Sequence, residues 1–191
     1  MHNAWAHLLW VYYPYLMLAS FFFGTFIRFK YFHGSITAKS SEIFEKKKLM
    51  IGSILFHIGI IMAFFGHILG MLVPQAWTDY FGITEHMYHI FGSLMMGIPA
   101  GSLAWIGMAI LTWRRMTVAR VYKTSSINDI LVDWVLLITI TLGMSCTIYG
   151  AFIDFNYRQS IGPWVRSLFT LNPQWQLMLN VPLIYRIHVL V

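Results

Sequence analysis

Hydrophobic residues fall into five long runs along the chain, separated by short polar connections. The runs cover about 8–27, 49–73, 88–113, 127–151 and 175–191. A helix that crosses the hydrocarbon core of a bilayer needs about 20 apolar residues, and the first four runs reach this length. The pattern predicts an all-α integral membrane protein, with one domain over 1–191 and five transmembrane helices.

The fifth run is the shortest. The 17 residues from Trp175 to Val191 would give about 25 Å of helix, against a hydrocarbon core of about 30 Å. No basic residue closes this run. We therefore expect the fifth helix to be truncated at the C-terminus and the chain to be a fragment of a longer protein.

Composition supports a membrane location. Hydrophobic residues make up 58% of the chain and charged residues only 10%, whereas soluble domains carry about 25% charged residues. A soluble monomer, a disordered chain and a disulfide scaffold are excluded. The single cysteine, Cys146, lies inside an apolar run, where we expect it to be buried.

The basic residues are distributed unevenly between the connections. Ten of them follow the first and third runs, namely Arg28, Lys30, Lys39, Lys46, Lys47, Lys48, Arg114, Arg115, Arg120 and Lys123. The opposite connections carry only Arg158 and Arg166. The positive-inside rule then predicts a multi-pass protein of the cell membrane with N-out, C-in topology. The net charge of +6 is explained by this topology and does not call for a nucleic-acid partner.

Two connections contain local structural signals. Ser126 with Asp129 three residues later predicts a capped helix start. Asp129 and Asp133 are interpreted as capping and helix-dipole groups, with contact to a partner protein as the alternative. The connection over 153–174 contains one glycine and two prolines and is long enough to hold a short interfacial helix.

Three of the eight histidines lie within apolar runs. His57, His67 and His188 do so, while the other five fall at termini, loops or interfaces, namely His2, His7, His33, His86 and His89. An ionisable side chain at membrane depth is costly unless it pairs, lines a cavity or binds a cofactor. The alternative is an interhelical hydrogen bond to a carbonyl or hydroxyl group.

The spacing of His57 and His67 argues against one shared metal ion. Ten residues of helix separate them by about 15 Å and about 80° of rotation. Zinc sites on helices use i, i+3 or i, i+4 spacing instead. Two stacked haems, each with one histidine from this helix, fit the separation. Gly59, Gly66 and Gly70 would admit a macrocycle close to the backbone, or they serve tight helix packing.

The predicted topology pairs His67 with His188. The second and fifth runs are antiparallel, so both residues lie in the outer half at similar depth. His57 is deeper, and a partner on mirrored spacing would fall no earlier than about residue 198. That position lies beyond Val191.

Several stretches of the sequence match motifs of a known protein family. Residues 55–60 read LFHIGI, 66–72 read GHILGML and 185–188 read YRIH; further matches are YPY at 13–15, the pair at 114–115 and the run 120–132. Together they span essentially the whole chain. They resemble the cytochrome b (gamma) subunit of membrane-bound respiratory nitrate reductases.

The resemblance implies two haems b as cofactors, with His57, His67 and His188 as axial ligands to the haem iron. His67 and His188 would share the outer haem. The family's fourth axial histidine follows about five helical turns after the third, so the inner haem lacks its second ligand in this chain. The subunit would oxidise quinol and pass electrons to a cytoplasmic iron–sulfur beta subunit and a molybdenum-containing alpha subunit.

Further residues receive candidate roles. Arg115 is a candidate for a propionate of the inner haem. An acidic partner could meet the basic face at Lys46–Lys48, Arg114, Arg115 and Arg120, although topology alone also explains these charges.

Oxidation of quinol releases protons, so a base is wanted near the outer haem. Glu85, His86 and His89 lie in the connection to the third run and are candidates; Tyr88 and Asp79 are weaker ones. Parts of the family carry a lysine in this region, and this chain has none there. For the histidines, a lipid headgroup or capping contact is the alternative.

Functions of other classes also remain open. They are a related cytochrome b subunit of a sulfur-metabolism complex or another quinone-linked complex, and a haem-free membrane anchor. A permease is least favoured, because no run is interrupted and intramembrane carboxylates for a coupling ion are missing.

Overall fold

A computed structural model of the chain describes residues 2–32, 41–153 and 155–191. His33, Lys39 and Asp154 lie outside the described residues, as does the side chain of His2. Four helices in the described part are long and apolar enough to cross a membrane: α1 (Ala4–Tyr31), α2 (Lys47–Leu72), α4 (Glu85–Thr117) and α6 (Ile127–Phe152). Shorter helices are α3 (Gln75–Tyr80), α5 (Ala119–Thr124), α7 (Ile161–Phe169) and α8 (Leu183–Leu190). The prediction of an all-helical membrane protein is confirmed.

The fifth apolar run does not form one helix, so the prediction of a helix beginning at Trp175 is wrong. Trp175–Asn180 is a 3-10 helix, and α8 begins only at Leu183. Pro182 explains the break, because it has no N–H and disfavours helical backbone in the residue before it. Val181 is accordingly extended, with φ −74° and ψ 135°.

Helices α2 and α4 pack closely in antiparallel directions. A Cβ added at Gly59 would lie 2.2 Å from the backbone nitrogen of Ala104, and one at Gly107 would lie 2.3 Å from that of Phe56. Small residues here let the two backbones touch. Gly59 therefore serves helix packing. Of the two roles that the sequence left open for it, this is the one that the structure supports.

Helix α6 packs along the other side of α4 and starts at the predicted cap. The Ser126 hydroxyl accepts from the backbone N–H of Asp129, and the Asp129 carboxylate accepts from the N–H of Ser126. This capping box is confirmed, and Cys146 on the same helix is buried as expected. Trp105 of α4 donates to the Thr141 hydroxyl across the interface, at 3.0 Å.

The bundle has two chemically different ends, here named by their buried arginines. At the Arg114 end, the Arg114 side chain is 3% exposed. It donates to Ser41 and Glu45, which lie just before α2. Arg114 is thus used within the chain and cannot face a partner, which corrects its candidate role. Lys46, Lys47 and Lys48 at the same end are exposed.

The Arg158 end is covered by the connection after α6. Helix α7 confirms the short helix predicted over 153–174, and its Trp164 donates to the Trp10 carbonyl of α1 at 3.0 Å. Three π-helical segments lie toward this end: Leu8–Tyr12, Ile68–Leu72 and Tyr88–Gly97. Such segments are rare and frequently occur at functional sites.

Helix α1 is attached through its N-terminal third. Tyr13 donates to the Leu190 carbonyl at 2.7 Å, and Tyr15 donates to the Leu168 carbonyl at 2.9 Å. Every residue from 16 to 32 is exposed. The apolar side chains of residues 16–32 therefore face outward rather than toward the rest of the chain.

Candidate functional site

His67 and His188 face each other between α2 and α8. Their ring centroids are 6.3 Å apart and the rings are inclined by 52°. Imidazoles on opposite sides of one metal ion, each bonded at about 2.0–2.1 Å, place their ring centroids about 6 Å apart. The pair predicted from the sequence thus lies together, with its rings at a separation that one shared ion could span.

The tautomer of His67 is fixed by its own helix. Its Nδ1 lies 2.7 Å from the Ala63 carbonyl oxygen, and because a carbonyl can only accept, Nδ1 carries the proton. Nε2 is then left as the basic nitrogen. Metal-ligating histidines commonly donate their second ring N–H in this way. His57 repeats the arrangement with the Ser53 carbonyl, at 2.7 Å.

His188 is placed by a groove of small residues along α6. A Cβ added at Gly143 would lie 3.1 Å from Cε1 of His188, and one at Gly150 would lie 2.7 Å from the Tyr185 hydroxyl. Tyr185 donates to the Cys146 carbonyl at 2.9 Å. The i, i+3, i+7 spacing of Gly143, Cys146 and Gly150 was the available signal, and sequence reasoning missed it.

The surroundings of His67 leave space for a haem on one side. His67 is exposed, and no atom lies within 4 Å of a Cβ added at the neighbouring Gly66, so a flat group could lie there. In the described ranges, no group of three or more His, Cys, Asp or Glu side chains could hold a metal ion. Two histidines suffice for haem iron, since the macrocycle supplies the other nitrogens.

His57 is exposed like His67 but has different ring neighbours. It is exposed on α2, and its described ring contact is with Phe56, at 5.3 Å between centroids. No second histidine ring packs against it in the part of the chain that the structure describes. Its role as an axial ligand stays a prediction.

Arg158 is the most deeply buried charged side chain at its end of the bundle, with 1% exposure. It donates to Glu85 at 3.0 Å and to the Thr78 hydroxyl at 2.8 Å, and its guanidinium carbon lies 3.9 Å from the centroid of the Tyr88 ring. Glu85, a candidate base for quinol, is thus engaged in an ion pair. Sequence reasoning missed this pairing, although an end so poor in charge favours pairing between the few charges present.

Of the other candidates for the quinol site, His86, Tyr88 and His89 lie at the start of α4 and Asp79 lies on α3. The Thr84 hydroxyl caps α4 by accepting from the N–H of Met87 at 3.3 Å. His86 is exposed, His89 is half-buried, and Asp79 is exposed on α3. Burial raises the pKa of the nearby Tyr157 hydroxyl, which therefore stays protonated. The described contacts do not link His86 or His89 to the His67–His188 pair.

Arg115 at the opposite end is held by α6 and the connection before it. It donates through Nε to Asp133 and through Nη1 to the Ser125 hydroxyl at 2.9 Å. Asp133 is buried, so it serves this ion pair rather than a partner surface. A role of Arg115 toward a propionate stays a prediction.

The fold and the site define a membrane-embedded, all-helical protein in which two histidines from different helices form one prospective ligand pair. A family model described as nitrate reductase gamma subunit matches residues 6–191. The chain belongs to this family, which confirms the resemblance identified from its motifs.

Individual proteins similar to this chain support the same family assignment. The nitrate reductase gamma chain of Bacillus subtilis is 41% identical over 187 residues, which are 96% of this chain and 82% of that protein. The respiratory nitrate reductase 2 gamma chain of Escherichia coli is 36% identical over 178 residues, covering 92% and 78%. A nitrate reductase-like protein NarX of Mycobacterium tuberculosis is 34% identical, and this chain covers 28% of it.

Proposed function

We propose that the chain is the di-haem b electron-transfer subunit of a nitrate reductase, which oxidises quinol near the outer face. It would deliver the electrons to a cytoplasmic iron–sulfur subunit and a molybdenum-containing catalytic subunit. The observation that carries the proposal is the His67–His188 pair at 6.3 Å, in a chain of the gamma-subunit family.

In this proposal His67 and His188 would hold the outer haem, and His57 would be a ligand of the inner one. Bound haem would supply reversible one-electron transfer at its iron. The Nδ1 bonds of His67 and His57 to carbonyl oxygens keep Nε2 free for ligation. Arg115 is proposed to meet an inner propionate from its place beside Asp133.

The proposed orientation puts the Arg158 end outside and the Arg114 end in the cytoplasm. Its support is the concentration of lysine and arginine at the Arg114 end. The exposed Lys46–Lys48 would meet the iron–sulfur partner, where complementary charge favours encounter.

The donor side is assigned to the start of α4. His89 offers an imidazole nitrogen that can accept a hydrogen bond, and then the proton, from a quinol hydroxyl. His86, exposed three residues earlier, can exchange protons with water. Glu85 is assigned to holding Arg158, with which it pairs.

A dithionite-reduced minus oxidised spectrum of the purified chain, with haem quantification, tests the proposal. We expect b-type absorbance, loss of the same haem in His67→Ala, in His188→Ala and in the double variant, and loss of the other haem in His57→Ala. His89→Ala is the matched control and should retain the haem content of the unmodified chain. Absence of b-type absorbance would leave a haem-free anchor, and full haem retention in His67→Ala would refute the pairing.

A further inference from the structure

One short segment, residues 155–158, touches every element that carries the proposed outer site. Phe155 packs on Tyr185 with ring centroids 4.8 Å apart. Tyr185 lies three residues before His188 on α8. Phe155 therefore supports the helix that presents one imidazole of the pair.

The second contact reaches the helix of the other imidazole. The Tyr157 ring covers Gly70, where an added Cβ would lie 3.1 Å from the ring. Gly70 sits in the π-helical segment that follows His67 directly. The Tyr157 hydroxyl also lies 3.4 Å from the Ser93 hydroxyl of α4, so this one side chain joins α2 to α4.

The third contact reaches the start of α4, where the quinol site is proposed. Arg158 binds Glu85 and Thr78 and stacks on Tyr88, as described above. Its Nε is buried and has no hydrogen-bond partner among the described residues. Its position is therefore set by the two Nη bonds and the ring contact, which tie it to the segment bearing His86 and His89.

We infer that residues 155–158 form a positioning segment, which fixes the two imidazoles relative to each other and the start of α4, residues 85–89, relative to both. The inference rests on the proposed function and assigns no contact with the reacting atoms. Geometry at such a site matters, because a misplacement of about 1 Å can cost about 100-fold in rate.

Two conservative substitutions test the inference in the full chain. Tyr157→Phe removes one hydroxyl and leaves the ring on Gly70. Arg158→Lys keeps the charge but loses the planar, two-point contact and the stacking on Tyr88. Arg114→Lys is the matched control, since it alters another buried Arg–Glu pair, also 3.0 Å long, at the opposite end.

Three quantities are measured: haem content, the electron paramagnetic resonance signal of each haem, and the menadiol concentration that half-saturates the initial rate of haem reduction. For Arg158→Lys we expect full haem content, a shifted signal of one haem only, and a half-saturating concentration raised about tenfold. Tyr157→Phe should shift the same signal with a smaller kinetic effect. Arg114→Lys should leave that signal and the half-saturating concentration unchanged.

The inference is overturned if both variants match the unmodified chain, or if Arg114→Lys produces the same changes. If Arg158→Lys loses both haems, Tyr157→Phe decides alone, because it deletes a single oxygen atom. An unmodified chain without b-type absorbance would overturn the proposed function itself, a result separate from unchanged signals in a haem-loaded variant.

Discussion

Gly59 illustrates how one residue controls the contact between α2 and α4. A methyl group there would meet the backbone of Ala104 at 2.2 Å, and backbone atoms cannot rotate away as a side-chain tip can. We expect Gly59→Ala to destabilise the chain by at least the ~1–3 kcal/mol typical of overpacking. Thermal unfolding in detergent measures the effect. Gly24→Ala, with nothing within 4 Å, should unfold like the unmodified chain, and equal midpoints for both variants would contradict the expectation.

Glu45 makes the Arg114 end sensitive to acid. The backbone N–H of Lys48, and after it the Arg114 guanidinium, hold the pKa of this carboxyl below its usual value of 4.5. A folded-state pKa below the unfolded one means that ionised Glu45 stabilises the fold above pH 4.5, and that this contribution is lost as the pH falls through the folded value.

Glu45→Gln should therefore unfold at a lower temperature than the unmodified chain at pH 7. The two melting temperatures should converge as the medium is acidified below pH 4.5. Glu42→Gln is the control, because its ion pair with Lys46 is exposed and such pairs contribute little. A gap for Glu45→Gln that persists in acid would argue against the ionic contribution.

Residue types and spacing were enough to predict the His67–His188 pair, because antiparallel runs relate sequence position to depth. They could not show that Arg158 pairs with Glu85, since 73 residues separate the two and only the folded connection brings them together. Arg114 likewise looked like a surface charge in the sequence. Its burial depends on the path of residues 41–45 beneath it.

Among the elements, α6 has the clearest start signal. Its first turn is closed by Ser126 and Asp129 in a capping box. Loss of an N-cap side chain typically costs about 1 kcal/mol, so Ser126→Ala should lower the unfolding temperature measurably. Ser145→Ala is the control within the same helix, because among the described residues that hydroxyl donates to the Thr141 carbonyl and caps no helix end. An equal effect of the two substitutions would rule out the cap as the cause.

The four long helices were predictable from apolar length, but the surfaces that they bury were not. Lipid replaces water around a membrane bundle, so residues that face outward are apolar as well. Hydrophobic periodicity therefore does not distinguish the buried face of a helix from its lipid-facing one. The π-helical turn at Ile68–Leu72 further shifts the residues after His67 away from regular helical positions. The prediction of one continuous helix over the fifth run was wrong for a local reason, because Pro182 interrupts it.

For the whole molecule, the proposed orientation can be tested by labelling. In a Cys146→Ala background, Tyr80→Cys and Ile127→Cys place single thiols at opposite ends, on side chains that are 86% and 76% exposed. We expect a membrane-impermeant maleimide to label Tyr80→Cys in intact cells and Ile127→Cys only after permeabilisation. The reverse pattern would invert the topology.

The attachment of α1 has a consequence for the order of assembly during synthesis. Its anchoring hydrogen bonds join residues far apart in the chain: Trp10 to Trp164 over 154 positions, and Tyr13 to Leu190 over 177. Helix α1 thus cannot complete these contacts until α7 and α8 have been synthesised. Helices α2, α4 and α6 are sequence neighbours and can associate earlier, so α1 joins a bundle that is already formed.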